Sequence, residues 1–147
     1  MTRKDPDTLY FHYDNINPKN RKTGDCVIRA ISRAIGESWE YTLKELTSMS
    51  LRYCYSPLSV ENFHRVLENY GFVKNKQMRK FDNTKYTGEE FVEYLTNHRE
   101  IMHGYPVVAN VGGHHTSVFV DEGDRVRCYD IWDCTDRTVG NFWTKED

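Results

Sequence analysis

The chain has 147 residues and a formal net charge of −2, with 38% hydrophobic, 29% charged and 14% aromatic side chains. That length fits one domain, 1–147, with a single core, and the aromatic content supplies the bulk to fill it. Scattered lysines and arginines argue against a dedicated nucleic-acid surface, and no apolar run nears the ~20 residues that cross a bilayer.

Residues 1–22 read as a polar arm rich in turn formers, and the charged start Met1–Asp5 leads into no apolar stretch, so no secretory signal is expected. From Cys26 the pattern turns helical, with Val27, Ile28, Ile31, Ala34 and Ile35 on one face and Gly36 as the stop. Ser38 reads as the N-cap of a second helix carrying Trp39, Leu43 and Leu46. A third starts near Ser59 and ends at Gly71, with Val60, Phe63, Val66 and Leu67 inward. Thr87-Gly88-Glu89-Glu90 matches a capping box, opening a helix with Phe91, Tyr94 and Leu95 on its inner stripe. After Gly104 the period becomes two, and strands are expected at Val107–Val111, His114–Val120, Arg125–Ile131 and Thr138–Trp143. Helices first and an antiparallel sheet last make an α+β layout.

Cysteine hydrolases need a thiolate, a base to make it and a third group that holds the base. Cys26 stands at a predicted helix N-terminus, where unpaired amides and the helix dipole stabilise an anion and can later hold an oxyanion. In Gly112-Gly113-His114-His115-Thr116-Ser117-Val118-Phe119-Val120, alternation places His114 with Thr116, Val118 and Val120, and His115 with Ser117 and Phe119. The face with two valines is read as the core side, which makes His114 the base; a bulge at Gly113 would exchange it for His115. Asp130 shares a strand face with Val126, Cys128 and Trp132, and an inward carboxylate needs a partner such as an imidazole N–H. Asp133 competes for that role. Gly24, Asp25, Gly113 and Trp132 flank these residues and are assigned to substrate binding.

Other features take blander readings. Arg29 and Arg33 read as a solvated helix face, and Lys74–Lys80 as an exposed basic strand or loop. The four cysteines show no CxxC and no zinc-like clustering with histidine, so Cys54, Cys128 and Cys134 are expected to be small core residues. An intracellular, cytoplasmic protein with no metal or cofactor is the expectation.

The motif Thr23-Gly24-Asp25-Cys26-Val27-Ile28-Arg29-Ala30-Ile31 resembles the opening of small papain-like proteins encoded by bacteriophages. Gly113-His114 before a strand, Tyr129-Asp130-x-Trp132-Asp133 on the next, and the ending Thr138-Val139-x-x-Phe142-Trp143 are similar to theirs as well. The resemblance touches both ends of the chain and is weak between about Met49 and Tyr105. It implies a papain-like fold, with N-terminal helices packed on a C-terminal antiparallel sheet, and it favours His114 as base. It also implies a side-chain amide upstream of the nucleophile that donates to the oxyanion, a role that Asn20 or Asn17 fits. The implied activity is a Cys-His-Asp hydrolase of protein or peptide substrates, with a host protein among the partners of a phage-encoded enzyme. A transglutaminase-like acyl transferase and a non-catalytic inhibitory module on the same scaffold are the competing functions.

Overall fold

The computed structural model describes residues 4–146. Among these, strand β1 (Phe11–Tyr13) precedes helices α1 (Cys26–Ile35), α2 (Trp39–Tyr53) and α3 (Val60–Asn69). Strand β2 (Phe72–Asn75), helix α4 (Gly88–Asn97) and strands β3 (Val107–Val111), β4 (His115–Asp121), β5 (Val126–Asp130) and β6 (Val139–Lys145) follow. The fold is α+β, with four α-helices and one six-stranded mixed sheet in the order β1-β5-β4-β3-β6-β2.

The sheet departs from the expected C-terminal antiparallel one at both edges. Inside the polar arm, Phe11–Tyr13 pairs in parallel with β5, and Phe11 is fully buried. At the other edge Phe72–Asn75 pairs antiparallel with β6. Neither strand is visible as alternation because each is only three or four residues long, too short for a period-two signal.

Helices cover both faces of the sheet. Val27, Ile28, Ile31, Leu46, Phe63 and Leu67 pack with Val108, Val118 and Trp143 in one core. Phe91, Val92 and Leu95 of α4 pack with Val107, Phe119, Cys128 and Phe142 in the other. Neighbouring strand residues such as Val118 and Phe119 are therefore both buried, on opposite faces.

Local chemistry sets the helix ends. The Ser38 and Ser59 hydroxyls accept from the Tyr41 and Asn62 N–H groups, and Thr87 with Glu90 closes a reciprocal capping box. Cys54 is not a core residue: it is exposed at the C-cap of α2 in the left-handed region, with φ 60. Among the aromatics that follow, Phe72 is buried whereas Tyr53 and Tyr55 stay exposed.

The start of α4 clamps the loop between β5 and β6, which matters for the site below. Gly88 N–H donates to the Arg137 carbonyl and Glu89 N–H to that of Thr135, each at 2.9 Å. A Cβ on Gly88 would stand 2.6 Å from Thr135 Cα, so only glycine allows this approach. Gly88→Ala is predicted to destabilise the protein by about 1–3 kcal/mol through overpacking, despite alanine's better helix propensity. Urea unfolding of the variant measures this directly.

Candidate active site

Helix α1 begins at Cys26, and the Asp25 side chain makes no cap hydrogen bond, so the first-turn amides are left without a side-chain partner there. Cys26 itself is half-buried. Strand β4 opens with His115 opposite Val111, just after Gly112 and Gly113, whose φ values of 61 and 89 suit glycine. Strand β5 ends on Asp130, and one residue pair beyond Val118–Tyr129 the register brings Ser117 beside it.

The histidine that joins the carboxylate is His115. Its Nε2 lies 2.6 Å from Asp130 Oδ2, whereas His114 is exposed in the turn. The assignment to His114 is thereby corrected, for a physical reason. The face with valines does lie against α1, where Val118 and Val120 pack with Cys26, Val27 and Ile31, but the Asp130 carboxylate is met from the opposite face of β4, by His115 and Ser117. His115 opens the strand at the end of the sheet, where its ring reaches Cys26 at the start of α1.

Burial works against charge on His115, yet the hydrogen bond to Asp130, contacts with Cys134 and Cys26, and the Asp130 charge push its pKa up to about 11. Burial likewise tends to raise the Cys26 thiol. Hydrogen bonding from His115 and from the Thr116 backbone, with the charges of His115 and Arg29, outweighs it and holds the thiol below its ordinary value. The pair therefore favours thiolate and imidazolium.

Asp130 is only 1% exposed and is heavily hydrogen-bonded. Oδ2 accepts from His115 and, at 2.7 Å, from Ser117 Oγ. Oδ1 accepts from Arg29 Nη1 at 2.9 Å and from Ile131 N–H at 2.7 Å. Burial raises its pKa, and these donors and charges reverse that, keeping the carboxyl ionised.

Arg29 is the residue that sequence reasoning misplaced. It is buried rather than solvated, with Nη1 on Asp130 and Nε on Asp25 Oδ1 at 2.9 Å. Asp25 also accepts from Asn17 Nδ2 at 3.1 Å and Trp39 Nε1 at 2.9 Å, and is 2% exposed. Asp25 is thus a buried anchor and not a substrate-binding wall. The i, i+4 spacing of Asp25 and Arg29 was the available signal, but an exposed surface pair has the same spacing. Arg33, half-buried, binds Asp14 through Nη2 at 2.7 and 2.9 Å, and Asp14 N–H donates to the Asp130 carbonyl.

The remaining predicted residues separate. Asn20 is exposed in a turn closed by its N–H to the Asn17 carbonyl, and among the described residues no hydrogen bond ties its side chain to Cys26. Asn17 is buried, and its amide is spent on Asp25 and on the N–H groups of Lys19 and Arg21. The backbone N–H of Cys26 is therefore the better-placed oxyanion donor. Trp132 stacks at a tilt on His115, ring centroids 4.9 Å apart, under the Arg137 guanidinium. Asp133 caps its own loop by accepting from Thr135 N–H. Gly24 and Gly113 are exposed and open above, and a polar cleft lined by Gln77, Asn110, Gly113, Thr138 and Asn141 lies beside the glycine turn.

No family model, curated protein or solved structure matches the chain. Among the described residues no helix is long and apolar enough to cross a membrane.

Two predictions follow from this electrostatics. Arg29→Leu leaves two buried carboxylates without their shared cation and should cost about 3–5 kcal/mol in urea unfolding. The second concerns pH. The raised His115 value contributes stability that is present below its ordinary 6.5 and lost as pH rises toward about 11. The lowered Cys26 value contributes stability that is present above its ordinary 9.0 and lost as pH falls. Between 6.5 and 9.0 the Cys26 slope opposes that of His115, and Cys134, its thiol lowered to about 7, adds to the Cys26 side in the upper part of the window. Cys26→Ser/Cys134→Ser removes both opposing slopes, and its denaturation midpoint should fall as pH rises across that window.

Proposed function

We propose that this protein is a papain-like cysteine hydrolase acting on an amide, isopeptide or thioester bond of a protein or peptide substrate. The observation that carries the reading is the chain of contacts from Cys26 through His115 to the buried Asp130, with the thiol lowered and the imidazole raised. The bacteriophage-like motif Thr23–Ile31, which holds the nucleophile, supports it independently.

The chemistry follows from these positions. Cys26 Sγ, as thiolate, attacks the carbonyl carbon, and the oxygen takes the negative charge beside the Cys26 N–H at the helix terminus. The imidazolium of His115 gives its proton to the leaving group, and the carbonyl re-forms as a thioester. Neutral His115 then takes a proton from water, which attacks the thioester and releases the acid and the Cys26 thiolate. Throughout, Asp130 fixes the ring and balances the imidazolium, while Ser117, Arg29 and Ile131 N–H fix Asp130. Trp132 shields the His115–Asp130 pair from water on one side.

Iodoacetamide tests the nucleophile without a known substrate. At pH 6, Cys26 is expected to label at least ~10-fold faster than an exposed model thiol, because its thiolate persists below the ordinary thiol range. His115→Ala should abolish the advantage and His114→Ala should keep it. Labelling no faster than the model thiol overturns the reading and leaves a scaffold without a nucleophile, as an inhibitory binding module would be.

A further inference from the structure

Cys134 is a buried thiol that this chemistry leaves unused. It lies in the loop clamped by Gly88, 1% exposed, with Sγ 3.7 Å from Asp130 Oδ2 and 3.8 Å from Cys128 Sγ. One ligand atom each from His115, Asp130 and Cys134 lies within 4.8 Å of the other two. The sequence gives no sign of this grouping, because the three residues come from a strand start, a strand end and a loop.

We propose that His115, Asp130 and Cys134 form an inhibitory site for a divalent cation of the zinc class, resting on the reading that His115 and Asp130 serve Cys26. Imidazole nitrogen, carboxylate oxygen and thiolate sulfur are the donor set such an ion selects, and three protein ligands leave its fourth position open. Tetrahedral bonds of about 2.0–2.3 Å set neighbouring ligand atoms roughly 3.3–3.8 Å apart. The Asp130–Cys134 separation of 3.7 Å already meets this. The His115–Asp130 separation of 2.6 Å must open, which a small rotation of the ring supplies.

Charge and second-sphere contacts are also suitable. Arg29 occupies Oδ1 of Asp130 and leaves Oδ2 to the ion, and Ser117 Oγ holds Oδ2 in place. One divalent ion replaces the protons on His115 Nε2 and Cys134 Sγ, so the net charge of the buried cluster does not change. With the ion bound, His115 no longer presents an imidazolium to Cys26, and the nucleophile loses its activation.

Anaerobic titration with Co2+ of a Cys26→Ser/Cys54→Ser variant tests the site without activity or a buried substitution. The variant should bind one Co2+ per chain with a thiolate-to-cobalt absorption band, and Zn2+ should displace it. Adding Cys134→Ser should weaken binding at least ~10-fold, the range expected on loss of a ligand or its support. In the wild type, Zn2+ should slow iodoacetamide labelling of Cys26 at least ~10-fold, with recovery on chelation, and Cys134→Ser should remove the slowing. A band that needs Cys26, or no band at excess Co2+, overturns the site. Binding without slower labelling overturns its inhibitory role. A band in a protein whose metal-free Cys26 is unreactive supports the site and overturns only the hydrolase reading.

Discussion

A single guanidinium buried between two carboxylates ties this molecule together. Arg29 is one turn into α1, and it reaches back to Asp25 at the helix start and across to Asp130 at the end of β5. It is the cation the two buried carboxylates share, and burying charge without such pairing costs several kcal/mol. The pairing therefore fixes where the helix docks on the sheet. Docking in turn decides that the first residue of α1 faces the first residue of β4, and so brings Cys26 to His115. Asn17 and Trp39 lock Asp25 from the other side, which draws the entry loop and the start of α2 into the same constraint.

The electrostatics of the site grows out of that frame. Against its burial, Asp130 is held ionised first by the hydrogen bond and charge of His115 and then by the Arg29 charge and the Ser117 hydroxyl, so the buried carboxylate and the imidazolium support each other. His115 therefore keeps its proton. The imidazolium then stabilises a thiolate at Cys26, alongside the helix dipole and the Thr116 amide. Each charge in the series is the reason for the next, and the sequence alternates: Asp25, Arg29, Asp130, His115, Cys26. The contrast with the buried Cys128 shows what position contributes. Cys128, fully buried beside Cys134 and facing the Asp130 charge, has its thiol raised well above the ordinary value.

How much of this was legible in the sequence depends on the range of the interaction. The four helices were readable because their caps and apolar stripes are local: Ser38, Ser59 and the Thr87–Glu90 box each act within one turn. The last four strands were readable from their alternation, with small shifts at the ends. Cys26 and Asp130 stood out because their residue types conflict with their positions, a thiol at a helix start and a carboxylate on an inward face. The choice between His114 and His115 was not legible, since the valine face of β4 does pack on α1 and the carboxylate of Asp130 is nevertheless met from the other face, at the end of the sheet. Strand β1 was hidden because its three residues gain their ladder only from β5, more than a hundred positions away. Arg29 was hidden because its partner Asp130 lies 101 residues downstream, and the helix face alone cannot distinguish a solvated arginine from a buried one.

The same long-range assembly lets one carboxylate edge fit both of the proposed chemistries. Oδ1 of Asp130 is structural, spent on Arg29 and the Ile131 amide. Oδ2 faces the candidate site, and around it stand a nitrogen and a hydroxyl from β4 and a sulfur from the loop after β5. A proton shared with His115 suits that edge when Cys26 is to react, and a divalent ion suits it once Cys134 gives up its own proton. Two positive charges enter and two protons leave, so the balance that Arg29 sets for the buried cluster is undisturbed. A fold that holds a carboxylate this rigidly beside a candidate nucleophile therefore also preorganises it as a ligand, and the Cys134 thiol, four positions beyond Asp130, supplies a donor that the proposed hydrolysis does not use.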